Sequence, residues 1–230
     1  MKSIQKKYRS GKLWEVSCTS PSHHDRILLL PSGRYLNFFE DPGREHWLAA
    51  LRIFAYLKGT LQYGIRYGPK TDGLQGFSDS DYAGDPVSRR STSEFVFVLH
   101  GGPVAWKSRR QSCVVLSTTE AELVATCEAS KECVWLGRLI SEISPKWTGP
   151  IPLMCDNRST MDLIKNPILH QRTKHIEVRN YFVRERQKAG DIDVLHISTD
   201  DQLADPLTKP LPNPRFSELR DLMGIVCVPE

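Results

Sequence analysis

No Cys-x-x-Cys pair occurs among Cys18, Cys113, Cys127, Cys133, Cys155 and Cys227, which argues against a zinc ribbon, and a chain of 230 residues is too long to need disulfide staples. Reduced thiols are expected, in an intracellular protein of cytoplasm or nucleus and not a secreted one. Nowhere do eighteen apolar residues run together, and Met1 to Trp14 is basic and polar, so neither a membrane span nor a signal peptide is expected. Strong charge is also missing. With a formal net charge of +4, any polyanion must be met by a local basic face. No internal repeat or low-complexity tract appears. What remains is ordinary: 40% hydrophobic and 25% charged residues, the material of one sizeable core with an appendage.

Residues 1–43 show no sustained period and stay unassigned, with disorder, fusion or misprediction as the open readings. From Arg44 to Lys58, Trp47, Ala50, Leu51, Phe54 and Leu57 recur at helical spacing before Gly59, and a strand is expected over Leu61 to Tyr67. The turn-rich stretch Gly68 to Gly73 then marks a boundary, leaving 44–73 as an appendage and 74–225 as the main domain. Leu74 to Tyr82, Thr92 to Leu99 and Pro103 to Arg109 read as an antiparallel meander. Ser117-Thr118-Thr119-Glu120 has the spacing of a capping box and opens the longest helix, running to about Ile143. Pro150 to Cys155 and Asp191 to Ile197 read as strands, Asn157 to Lys165 and Ile176 to Lys188 as helices, and the end of the chain as a helical tail. Together these predict an α/β fold with a five-stranded mixed sheet, antiparallel at one end and parallel at the other.

Four acids could converge on that map. Asp79 lies inside the first strand of the meander, where a carboxylate is costly unless paired or bound to metal; a strand-end Asp facing solvent is the alternative. An EF-hand start at Asp79, Asp81 and Gly84 fails, because the twelfth position is Arg90 where Glu is needed. On the long helix, Glu122, Ala125, Ala129, Cys133, Leu136 and Ile140 share one face, which puts Glu122 at the start of the buried stripe. Glu120 suits a solvated first turn better. Asp156 follows an apolar strand at its carboxyl end, where ligand sites gather, or else caps the next helix. Asp205 precedes Pro206 and could also be a helix-start residue. Two-metal cleavage of a phosphodiester requires such acids to hold two cations roughly 3.5–4 Å apart.

Several ordered blocks resemble the ribonuclease H domain at the C-terminal end of the Pol polyprotein of copia-type LTR retrotransposons. They are Gly76-Phe-Ser-Asp-Ser-Asp-Tyr-Ala-Gly-Asp85, Arg89-Arg-Ser-Thr-Ser93, Val104-Ala-Trp-Lys-Ser108 with Gln111, and Leu116-Ser-Thr-Thr-Glu-Ala-Glu122. Cys155-Asp-Asn157, His170-Gln-Arg-Thr-Lys-His-Ile176 and Gln202-Leu-Ala-Asp-Pro-Leu-Thr-Lys-Pro-Leu211 continue the series. The resemblance implies a ribonuclease H-like fold, with Asp79, Glu122, Asp156 and Asp205 as catalytic and metal-binding residues. It further implies two Mg2+ ions, replaceable by Mn2+, an RNA–DNA hybrid as substrate, and cleavage of the RNA strand to 3′-hydroxyl and 5′-phosphate ends. No small-molecule cofactor is implied. Glu45-His-Trp47, Tyr56-Leu-Lys-Gly-Thr60 and Gly64-Ile-Arg-Tyr67 resemble the tail of the preceding reverse transcriptase, so a polymerase domain is an expected partner. Residues 1–43 do not match. Departures are Glu94 for Gly, Leu123 for Tyr and Tyr181 for His; Glu94, in a predicted strand, is expected to cost stability.

Lys107, Arg109, Arg110, Arg172 and Lys174 are expected to contact phosphates of the hybrid, with Arg89 and Arg90 nearby; a solvated charged face is the alternative for each. Recognition need not read bases, because an A-like minor groove with 2′-hydroxyls on one strand identifies a hybrid. His170 and His175 lack the companions of a zinc site. His196 is a candidate proton shuttle or a satisfied core His. An inactive remnant that keeps the fold and binds nucleic acid or a polymerase is the rival function. An integrase-like nuclease would need the order Asp, Asp, Glu, whereas the order here is Asp, Glu, Asp, Asp.

Overall fold

The computed structural model describes residues 43–68, 73–85, 87–144, 149–165, 174–209 and 211–228, apart from the side chains of 45, 46, 49 and 174–176. Its main body is a five-stranded sheet. The strands are β2 (Gln75–Asp81), β3 (Thr92–Leu99), β4 (Gly102–Arg110), β5 (Ile151–Cys155) and β6 (Ile192–His196), in the order β4-β3-β2-β5-β6. β2, β3 and β4 pair antiparallel, while β5 lies parallel to both β2 and β6, as the sequence predicts.

Strand β3 shows why the sheet is buried on both faces. Its alternation sends Phe95 and Phe97 into one apolar cluster and Val96 and Val98 into the other. The first cluster is completed by α2 (Thr118–Ile143), α3 (Arg158–Lys165) and α4 (Lys174–Lys188), the second by residues from Leu203 to Met223. Fully buried residues such as Leu123 and Leu153 each contribute about 1.5–3 kcal/mol of apolar burial. Ser117 caps α2, its side chain accepting from Glu120 N at 3.2 Å, and the Glu120 carboxylate turns back to accept from Leu116 N at 2.9 Å. The helix face expected to be buried is buried from Glu122 to Leu136 and half-buried at Ile140.

The appendage is docked on the main body. After α1 (Arg44–Gly59) comes a strand shorter than the expected Leu61 to Tyr67: β1 is Tyr63–Ile65, and it pairs antiparallel with β7 (Ile225–Cys227). The tail is therefore not helical throughout. Helices α5 (Asp205–Thr208) and α6 (Asn213–Leu222) precede β7, whose partner lies at the far end of the described chain, out of reach of any local pattern. Tyr56 meets Phe216 edge-on at 6.0 Å, and the Arg220 guanidinium lies 4.4 Å over the Tyr63 ring. Gly224 makes the turn into β7 at φ +74°, where a Cβ would fall 2.2 Å from the Gly101 carbonyl oxygen. No helix among the described residues is long and apolar enough to cross a membrane.

Candidate active site

The pairing of β2 with β5 runs through Ser78 and Cys155 and then stops. Asp79 comes next inside β2, which continues to Asp81, and Asp156 directly follows the last residue of β5, so both acids stand where the parallel pairing stops, Asp156 at the carboxyl end of its strand. Glu122 reaches the same place from the start of α2. One carboxylate oxygen from each of Asp79, Glu122 and Asp156 lies within 4.8 Å of the others.

Their surroundings reject the simpler readings. Asp79 is only 1% exposed, not a strand-end acid in solvent, and its Oδ2 accepts from Thr208 Oγ1 at 2.6 Å. Glu122 Oε1 accepts from Ser80 Oγ at 2.8 Å and Ser80 N at 3.2 Å, while Oε2 is buried with no hydrogen-bond partner. Asn157, not Asp156, caps α3: its Oδ1 accepts from Thr160 N at 2.9 Å. Asp156 is thereby left to accept from Thr199 Oγ1 at 2.9 Å.

Such crowding costs free energy unless charge is neutralised. Burial pushes Asp79 up to about 6, opposed by Lys209 and Thr208, and burial followed by the Asp79 charge pushes Glu122 up to about 9. The orphaned Glu122 oxygen and the all-oxygen donor set suit a hard divalent cation such as Mg2+.

The fourth acid is held differently. Asp205 is buried as the first residue of α5, where Ala204 is the cap residue and makes no side-chain capping bond. It is not among the three acids that share one 4.8 Å group. Instead its Oδ1 pairs with Lys209 Nζ at 2.9 Å, and the same nitrogen lies 3.1 Å from Asp79 Oδ2. Gln202, fully buried, fastens this segment to the sheet by donating from Nε2 to the Ser78 carbonyl oxygen at 2.9 Å. Sequence reasoning gave no role to Ser80, Thr199, Gln202, Thr208 or Lys209. All but Thr199 lie inside the resembling blocks, but a Lys four residues after an Asp reads as a surface pair.

His196, at the end of β6 in register with Cys155, is exposed, which removes the core reading; its Nε2 accepts from Arg158 Nε at 3.4 Å. Lys107 and Arg109 are exposed on the edge strand β4, beside a cleft also lined by Gln111, Glu128 and Arg179. Arg110 is engaged by Asp85 at 2.7 Å. Arg172, His170 and the side chains of Lys174 and His175 lie outside the described residues. Glu94 is fully buried in β3 opposite Asp79 and accepts from Ser108 Oγ, which offsets part of its desolvation.

Three antiparallel strands continued by two parallel ones, with acids meeting where the pairing of β2 with β5 stops, define a ribonuclease H-like domain. No family model matches the chain. It is 38% identical over 213 residues to the retrovirus-related Pol polyprotein from transposon TNT 1-94 of Nicotiana tabacum, covering 93% of this chain and 16% of that protein. Against the corresponding polyprotein from transposon RE2 of Arabidopsis thaliana it is 37% identical over 221 residues, with 95% and 15% covered. The chain belongs to this family of copia-type Pol polyproteins, of whose length it spans a small part. A match over 95% of the chain reaches into residues 1–43, correcting the expectation that they fall outside the resemblance. The chain is also 48% identical over 100 residues to a protein named secreted RxLR effector protein 161 of Plasmopara viticola, covering 43% of this chain and 70% of that one. Among solved structures, RNase H1 of Halobacterium salinarum matches 64% of this chain and 99% of its own, at 16% identity and a TM-score of 0.44. The fold assignment rests on the sheet order and not on that superposition.

Proposed function

We propose that this chain cleaves the RNA strand of RNA–DNA hybrids during retrotransposon replication, using two Mg2+ ions that Mn2+ can replace. The observation that carries this reading is the meeting of Asp79, Glu122 and Asp156 from three separate elements within 4.8 Å. These three would hold divalent ions, with Asp205 as the fourth ligand once Lys209 releases it. When bound, the ions would supply an activated water and charge stabilisation for the leaving oxygen. Ser80, Thr199 and Thr208 orient the carboxylates through the hydrogen bonds given above. Lys107 and Arg109 would track the phosphate backbone, with Arg110, Arg172 and Lys174 as further contacts, and His196, exposed at the end of β6, is the candidate proton relay. A reverse transcriptase polymerase domain is the proposed partner, and action inside the cell the proposed setting.

Cleavage of an end-labelled hybrid with and without Mg2+ tests this directly. Mg2+-dependent cutting of the RNA strand by the intact chain is expected, with Asp79→Asn inactive but still folded and able to bind the hybrid. No cutting at any Mg2+ or Mn2+ concentration would favour the non-catalytic remnant, and cutting by Asp79→Asn would remove that residue from the site.

A further inference from the structure

We propose that the Lys209 ammonium is a resident counter-ion of the acidic site, which a divalent cation must displace from Asp79 and Asp205 before a second cation position can fill. The proposal rests on the metal-dependent reading above.

Lys209 Nζ stands between two carboxylates, 3.1 Å from Asp79 Oδ2 and 2.9 Å from Asp205 Oδ1. Its side chain is 37% exposed, whereas those of Asp79 and Asp205 are 1% and 8% exposed. The ammonium therefore closes the solvent side of a buried acid pair, as a long lysine stem permits. The backbone fixes it there. Lys209 N donates to the Asp205 carbonyl oxygen at 3.0 Å, and Thr208 Oγ1 contacts both Asp79 Oδ2 at 2.6 Å and the Asp205 carbonyl oxygen at 3.1 Å. One turn thus binds the lysine, its two acids and β2 into a single unit.

The same oxygens cannot serve an ammonium and a metal ion together. Mg2+ binds a carboxylate oxygen at about 2.0–2.1 Å and repels a neighbouring positive charge. On the other side of Asp79 the situation is reversed. Glu122 Oε2 has no hydrogen-bond partner among the described residues, and Glu122 and Asp156 accept from the neutral groups of Ser80 and Thr199. Among the described residues the Asp205 side of Asp79 is thus held by a protein cation, Lys209, and the Glu122 side by neutral donors. Lysine can leave because its ammonium is a compact charge on a flexible stem.

Calorimetry of Mg2+ and of Mn2+ binding to the full chain, wild type against Lys209→Met, tests the idea. Both ions should bind Lys209→Met more tightly than the wild type, because Asp79 belongs to both positions, with the larger gain, at least about 10-fold, at the second. An unchanged or weaker second ion in a variant that retains first-ion binding overturns the proposal alone. Failure of the wild type to bind any ion overturns the nuclease reading and this proposal with it. A second measurement needs no variant to fold: the Lys209 side-chain 15N resonance in the wild type should move to the position of a solvent-exposed lysine at the second binding step, not the first. A resonance unmoved through both steps overturns the proposal.

Discussion

On the Glu122 side of Asp79, the carboxylates accept from the neutral donors Ser80 and Thr199, and one buried oxygen has no hydrogen-bond partner among the described residues; on the Asp205 side, an ammonium lies between the two acids. The same kind of side chain is thus made tolerable in two ways. Where the protein supplies the positive charge, the acid pair is a complete local structure. Where it does not, burial raises the affinity for a proton and leaves a place that a cation from solution can fill.

Substitution of one acid from each half is the sharpest way to break that comparison. Asp156→Asn should lower hybrid cleavage by at least about 100-fold, more than is usual for an outer-shell change, while Asp205→Asn should cost about 10-fold. Equal losses would mean that Lys209 does not separate the halves. A smaller effect is expected on stability. A carboxyl group whose folded-state affinity for protons is raised makes the native state the better proton binder, so stability falls as pH rises through the window between the two values. For Glu122 that window runs from 4.5 to about 9. Melting temperature in the presence of chelator should decline across it in the wild type, and Glu122→Gln should flatten the decline by about 2–4 °C for each kcal/mol removed. A slope unaltered by Glu122→Gln would show that this carboxylate is neutralised by something other than a bound proton.

What the sequence made legible follows from range of interaction. The stripe from Glu122 to Leu136 was readable because helical periodicity is local, and a five-stranded mixed sheet, antiparallel at one end and parallel at the other, followed from alternation, helix breaks and the resembling blocks. Asp156 was ambiguous because its neighbour Asn157 could cap the helix equally well, and only the Thr160 contact decides between them. Lys209 gave no signal. Its meaning lies in a contact with Asp79, far away in the chain, and the same is true of β7 and its pairing with β1. His196 was ambiguous for another reason: the burial alternation in β6 ends at Val194, two residues before it, so the strand does not bury it.

The central claim is that Asp79, Glu122 and Asp156 together form a divalent-cation site, and thermal melting of the full chain at pH 8 with Mg2+ against chelator tests it most directly. Saturation at about 100 times Kd corresponds to about 2.7 kcal/mol, an upward shift of about 5–10 °C in the wild type, and Asp79→Asn should abolish that shift. No shift in the wild type, or an equal shift in Asp79→Asn, would contradict the account.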